Sequence, residues 1–206
     1  MIIKILKVLV GLIVVLIGVF ALGPKRSFEK IDNKPSKKTY DITSLDLKLK
    51  NQEQAVQYLK EDNESRVVWA DSSKQKTKYS IVYLHGFSAS QGEGFPMHVN
   101  IADSLKANLY LPRLPEHGVN NKDAMKNLTP AMLIDAAKEA IAIGKTIGEE
   151  VILMGCSTGG TLAIYLAAAD RDLKGLILLS PNIEVNVAGV SLLTGPWGED
   201  LSLIHI

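Results

Sequence analysis

The chain has 206 residues, 47% of them hydrophobic and 22% charged, with 16 Gly, 8 Pro and a single Cys. Ample apolar surface and one unpaired thiol exclude a disordered, collagen-like or disulfide-stapled chain. Residues 44–206 carry 15 Lys/Arg against 19 Asp/Glu, and so mildly acidic a body argues against a nucleic-acid partner, which needs a basic footprint.

Met1 to Gly23 holds 18 apolar residues, three Gly and two charges, Lys4 and Lys7. Val8 to Gly23 is uncharged over 16 residues, and the span is 19 residues when counted from Ile5 with Lys7 snorkelling to the interface. A membrane-crossing helix needs about 20. The segment is therefore expected to be a transmembrane anchor, with Pro24 disfavouring cleavage after it. The alternative is a signal peptide with Lys4 and Lys7 as its basic start and Ala21-Leu22-Gly23 as its cleavage site, which would release an exported protein. Lys4 and Lys7 flank one end and Lys25, Arg26 and Lys30 the other, so the positive-inside rule leaves orientation open. Residues 24–43 carry six Lys/Arg against three Asp/Glu. They read as a polar, Pro-containing linker that either meets anionic headgroups or is a solvated spacer.

The body alternates strand and helix. Asn51, with Gln54 as capping-box partner, predicts a helix over 52–60. Val67–Trp69 and Tyr79–Leu84 are expected strands, close enough in sequence for an antiparallel pair. A helix near 96–107 precedes a strand at Asn108–Leu111. Thr129 and Pro130 mark the N-cap and first residue of a helix, whose apolar stripe is Leu133, Ala137, Ala140, Ile141 and Gly144. Val151–Met154 is a strand, Thr158–Ala169 an Ala-rich helix, and Gly175–Leu179 another strand. Continuous apolar runs of this kind read as strands buried on both faces. Strand–helix–strand order then gives an α/β fold with a mostly parallel sheet and helices on both sides.

The most specific signal is Gly155-Cys156-Ser157-Thr158-Gly159, a G-x-S-x-G pattern between an apolar strand and a helix. That spacing puts Ser157 on a tight turn with its hydroxyl clear of the sheet. Gly155 and Gly159 leave room for the bend and for close passage of the helix, whose N-terminus favours developing negative charge. The second signal is His85-Gly86-Phe87-Ser88, directly after YSIVYL and 72 residues before Ser157. Acyl transfer needs preorganised N–H donors for an oxyanion. The candidates are the backbone N–H groups of Phe87 and Thr158, with His85 and Gly86 shaping the loop. Cys156 reads as a packing residue. No metal-ligand spacing is present, and neither metal nor cofactor is expected.

The order HGF, helix, LPRLPEHG, then GCSTGG resembles the α/β-hydrolase superfamily, and within it the bacterial lysophospholipase-like and monoacylglycerol-lipase-like serine hydrolases of the serine aminopeptidase type. The resemblance covers about residues 66 to 200. Arg113 to Gly118 resembles the family's D-x-x-G-H-G loop, with Arg113 in place of its Asp and Glu116 in place of its Gly; His117 is expected to structure that loop. The resemblance implies a Ser, Asp/Glu, His order along the chain. After Ser157, however, the only histidine is His205, and the carboxylates are Asp170, Asp172, Glu184, Glu199 and Asp200. The family continues for two more strands, with the acid after one and the histidine after the other. The triad Asp and His are thus expected to be missing from this chain. Leu201–Ile206 (LSLIHI) is what CTGTCTCTTATACACATC encodes, a string like the mosaic-end adaptor of transposon sequencing libraries.

The sequence therefore divides into a transmembrane anchor or signal segment (1–23), a basic linker (24–45), an incomplete α/β-hydrolase domain (46–200) and an adaptor-derived tail (201–206). The resemblance implies a serine hydrolase of lipid or small acyl esters; the N-terminal segment is expected to hold it at a bacterial inner membrane, and without the triad Asp and His this fragment is expected to be inactive. Aminopeptidase, thioesterase or acyltransferase chemistry on the same site, or a non-catalytic binding protein of this fold, are the alternatives. The partners implied are a small-molecule or lipid ester and the membrane, with no nucleic acid.

Overall fold

Residues 2–24, 31–183 and 195–197 are described by a computed structural model, in which the chain separates into residues 1–30 with 184–206 and a second unit of residues 31–183. In the first unit, α1 (Ile2–Ala21) is a 20-residue helix with no buried residue. At 1.5 Å per residue it is about 30 Å long, enough in length and composition to cross a membrane. An N-terminal signal sequence has the same character.

The second unit contains α2 (Leu45–Gln54), β1 (Arg66–Val68), β2 (Thr77–Leu84), a single 3-10 turn at Gln91–Gly94, α3 (Met97–Leu105) and β3 (Asn108–Leu111). These are followed by α4 (Pro130–Ile147), β4 (Gly148–Cys156), α5 (Thr158–Ala167) and β5 (Leu173–Leu179). The five strands form one sheet in the order β1-β3-β2-β4-β5. Only β1 runs antiparallel, with Val67 opposite Tyr110 on β3. The rest is parallel: Ile81 pairs with Leu109, Val82 with Leu153, and Met154 with Ile177.

Successive residues of β2 point to opposite faces, and both faces are covered. Val82 and Leu84, with Tyr110 and Leu153, pack against α2, α4 and α5 through Leu45, Leu49, Ile134, Ala137, Ile141, Leu162 and Leu166. Ile81 and Tyr83, with Leu109, Leu111 and Met154, pack against Ala102 of α3. The start of α4 follows the capping rule: Thr129 is the N-cap, its side chain accepts the Met132 N–H at 3.3 Å, and Pro130 follows.

Three expectations need correction. β1 and β2 do not pair, because both edges of the doubly buried β2 are taken by parallel neighbours, which leaves the three-residue β1 to the outer edge of β3. The first helix of the body runs over Leu45–Gln54 rather than 52–60, and Asn51 lies inside it. Leu45 and Leu49, four apart and buried, set its register, whereas the chain beyond it turns through Tyr58 at φ 58°. Finally, β5 is not buried on both faces: its burial alternates, and Leu176 and Leu178 are exposed. Among the described residues it is paired only with β4.

Residues 31–43 have no helix or strand, yet they lie on the second unit. Ile31, Tyr40 and Ile42 pack against its core. Tyr40 Oη donates to Glu139 on α4, Lys38 Nζ meets the same carboxylate at 2.8 Å, and Tyr165 Oη on α5 donates to the Ile31 carbonyl at 2.8 Å.

Candidate active site

Ser157 stands between β4 and α5 at φ 49°, ψ −116°. A positive φ at a non-glycine residue costs on the order of 1–3 kcal/mol and persists only where the surroundings impose it. Here they do. Ser157 N–H donates to the Leu179 carbonyl at 2.9 Å, and the Ser157 carbonyl accepts from Thr161 N–H at 3.1 Å and Asn182 N–H at 3.2 Å. The flanking glycines are required by close approach. A Cβ on Gly155 would lie 2.4 Å from the Gly159 carbonyl oxygen, and one on Gly159 would lie 2.0 Å from that of Leu84. The turn is thereby pressed against the end of β2, and the Ser157 side chain faces the loop that follows that strand: a Cβ on Gly86 would sit 3.4 Å from Ser157 Cβ.

That loop is organised by two histidines. His85 is fully buried; its Nδ1 lies 2.9 Å from the Gly86 carbonyl, and its Nε2 accepts the Leu114 N–H at 3.1 Å. His117 repeats the pattern, with Nδ1 2.7 Å from the Pro115 carbonyl and Nε2 accepting the Ser88 N–H at 3.1 Å. A carbonyl only accepts and a main-chain N–H only donates, so each ring is neutral with its proton on Nδ1. Burial, the leading cause in both, pushes His85 down to about 4 and holds His117 below the ordinary histidine value. The rings meet edge-on at 5.0 Å, and Phe87 meets His117 edge-on at 5.9 Å. Both nitrogens of each ring are committed, so neither imidazole offers a lone pair to Ser157. His98, buried, places its Nε2 2.9 Å from the Gln91 carbonyl beneath Tyr83.

The N–H groups of Phe87 and Thr158 have no intramolecular acceptor among the described residues. Thr158 opens α5, where the first N–H groups of a helix are free by construction. The Gly86 N–H, by contrast, is spent on the Glu93 carboxylate at 2.8 Å. Asp170 is buried and paired with Lys145 at 2.8 Å, and its neighbour Asp172 also faces Lys145, at 3.6 Å. Glu184, Glu199, Asp200 and His205 lie outside the described residues. Among the described residues no group of three His, Cys, Asp or Glu side chains is arranged to hold a metal ion.

Two carboxylates at this end of the sheet were not legible as site residues. Glu53 of α2, itself buried, pairs with the partly buried Arg113, Oε2 to Nε at 2.7 Å, while Ser65 Oγ donates to Glu53 Oε1 at 2.7 Å. Arg113 also donates to the His117 carbonyl at 3.2 Å, which ties the LPRLPEHG segment to α2. A signal existed: Glu53 continues the buried series Leu45, Leu49 at a spacing of four. Glu93, which holds Gly86, had no such signal.

The sequence pattern of the alpha/beta hydrolase family matches residues 81–204. No curated protein matches the sequence. Solved structures with a similar fold include a metagenome-derived lipolytic enzyme from work on LipS and LipT, 16% identical over 66% of this chain and 52% of its own, with a TM-score of 0.57. The alpha/beta hydrolase GrgF from Penicillium sp. sh18 is 16% identical over 73% of this chain and 51% of its own, with a TM-score of 0.50. A monoacylglycerol lipase from Paleococcus ferrophilus is 19% identical over 63% of this chain and 48% of its own, with a TM-score of 0.45. This chain spans about half the length of the solved structures it matches. The family's pattern runs from the centre of β2 through the serine turn and beyond β5, and this chain belongs to the alpha/beta hydrolase family.

Proposed function

We propose that the chain carries the nucleophile and oxyanion part of a serine hydrolase that cleaves carboxylic esters, lipid or small acyl, through an acyl-enzyme intermediate. The observation that carries this reading is the strained turn at Ser157, set at the start of α5 and facing the His85–Phe87 loop. Ser157 Oγ attacks the ester carbonyl. The N–H groups of Phe87 and Thr158 receive the oxygen that becomes negative, and the α5 N-terminus favours that charge. Collapse of the tetrahedral species expels the alcohol and leaves an acyl-serine, which water hydrolyses. Proton transfer in both steps needs a base other than His85 and His117, because their ring nitrogens are occupied. Among the described residues no histidine is free to assist Ser157, and an unassisted serine is a weak nucleophile, so we read these residues by themselves as inactive.

A fluorophosphonate probe tests the assignment. The complete protein is expected to take the label, and Ser157→Ala to abolish labelling and lower ester turnover by several orders of magnitude. Undiminished labelling of the alanine variant removes Ser157 as nucleophile. α1 is read as the membrane attachment of this hydrolase, so the protein is expected in the membrane fraction, resistant to salt and released by detergent. A soluble mature form beginning at Pro24 would instead show a cleaved signal.

A further inference from the structure

Glu93 takes no part in the chemistry proposed above, yet its carboxylate ends beside it. The residue sits in the Gln91–Gly94 turn, which is capped by Ser90 Oγ accepting the Gly92 N–H and anchored by Gln91 Nε2 donating to the Asp62 carbonyl at 2.6 Å. From there Glu93 reaches back to the sheet. Its Oε2 accepts the Gly86 N–H at 2.8 Å and the Tyr83 hydroxyl at 3.2 Å. A Cβ on Gly86 would stand 2.9 Å from Glu93 Oε1 and 3.4 Å from Ser157 Cβ, so carboxylate and serine flank the same point of the main chain. Cys156, next to the serine, faces this carboxylate too: burial first, then the negative charge of Glu93, holds its thiol above the ordinary value.

We propose that Glu93 is a positioning residue, which clamps the His85–Gly86 peptide through its N–H while His85 Nδ1 holds the next peptide through the Gly86 carbonyl, so that the Phe87 N–H is aimed into the space before Ser157. A glycine peptide has the widest choice of orientations, and this one must hold a single orientation if its neighbour is to act as a preorganised donor. A charge-assisted bond from a carboxylate to the Gly86 N–H supplies that restraint. It also removes the Gly86 N–H from competition for the oxyanion. Tyr83, buried in β2 and packed edge-on against His98 at 4.9 Å, fixes the carboxylate from below. The glycine is explained in the same terms, since any side chain at position 86 would collide with the clamp. The inference rests on the reading of Ser157 as nucleophile.

The test uses the complete protein with Glu93→Gln and Glu93→Asp. Hydrolysis of a p-nitrophenyl ester gives kcat and KM, and iodoacetamide alkylation across pH, mapped to the Cys156 peptide, gives the midpoint of thiol ionisation. A misaimed oxyanion donor acts on the transition state, so Glu93→Gln is expected to lower kcat about 10- to 100-fold with KM little changed. The same variant removes a negative charge beside the thiol and is expected to move the alkylation midpoint to lower pH. Glu93→Asp keeps the charge but shortens the reach; it is expected to leave the midpoint near wild type while kcat stays low. A merely structural role would change unfolding temperature without the split between kcat and KM or the thiol shift. Unchanged kcat in Glu93→Gln overturns the proposal, and so does a fall in kcat with an unmoved midpoint. Should Glu93→Gln not fold, a wild-type kcat in Glu93→Asp overturns it. Failure of the wild type to label at Ser157 sinks the serine-hydrolase reading instead, and the thiol midpoint then decides the clamp alone.

Discussion

Two turns meet in front of Ser157, and they are built on opposite plans. The turn from β4 to α5 is held by main-chain hydrogen bonds and by glycines that let the backbone close on itself. The loop after β2 is held by side chains from distant parts of the sequence: His85 caps Leu114, His117 caps Ser88, and Arg113 reaches Glu53. A turn of the first kind needs main chain alone, that of β4 and α5 and of the ends of β2 and β5. The second kind exists only once β3, α2 and the 113–118 segment are in place, so it is the part of the site most exposed to changes far from it.

The largest effect should come from breaking that distant support. Glu53 and Arg113 side chains are 9% and 14% exposed; removing one partner of a fully buried pair costs up to about 5 kcal/mol, and this partly buried one should cost about 3 kcal/mol or somewhat more. Glu53→Ala should show that loss as a lower urea midpoint, with a smaller loss when both residues become Met. If Glu53→Ala leaves the midpoint unmoved, the loop does not depend on α2.

Gly159→Ala attacks the other turn. Its Cβ would meet main chain at 2.0 Å, and main chain cannot step aside as a flexible side chain can. The expected cost is about 3 kcal/mol, at the upper end for overpacking, together with loss of fluorophosphonate labelling. A folded, fully labelled variant would show that the turn is looser than its contacts indicate.

Acid should separate the two turns, because only the loop after β2 contains histidines. Burial pushes the pKa of His85 down to about 4 in the folded protein, from the ordinary histidine value of about 6.5. The unfolded state therefore binds more protons once the pH falls below that ordinary value. Stability present at neutral pH is lost as pH falls from about 6.5 towards 4, by about 2 kcal/mol between pH 7 and pH 5. Urea unfolding at the two pH values measures it, and His85→Gln should lack that part of the slope. The smallest effect is expected away from both turns. Leu176 on β5 is 39% exposed, so Leu176→Thr should change stability by less than about 0.5 kcal/mol while reducing aggregation on refolding, as expected when an exposed apolar side chain is removed.

The same contrast explains what could be read from the sequence. The serine turn is written in five consecutive residues between two recognisable elements, and its position came directly from them. The central strands were legible because YSIVYL and VILM are unbroken apolar runs. Which strand pairs with β1 was not legible, because pairing depends on which edges remain free. The capping pattern at Asn51 and Gln54 was locally reasonable, but it was outweighed by the burial of Leu45 and Leu49. Glu53 and Arg113 are 60 positions apart, and Glu93 returns to Gly86 across an irregular loop. Polar partners of this kind follow no period, and only the folded chain brings them together.

The segment from Ile31 to Ile42 bears on how the domain can be handled in the laboratory. Although it contains no helix or strand, it fills apolar contacts through Ile31, Tyr40 and Ile42 and meets Glu139 through Lys38 and Tyr40. A trimmed version made to dispense with α1 should therefore start before Ile31. One that starts at the first helix of the body, Leu45, would strip the flank of α4 and α5, uncover their apolar side chains and invite precipitation. A failure of that shorter version in expression trials would then report the loss of this strap rather than a need for the membrane.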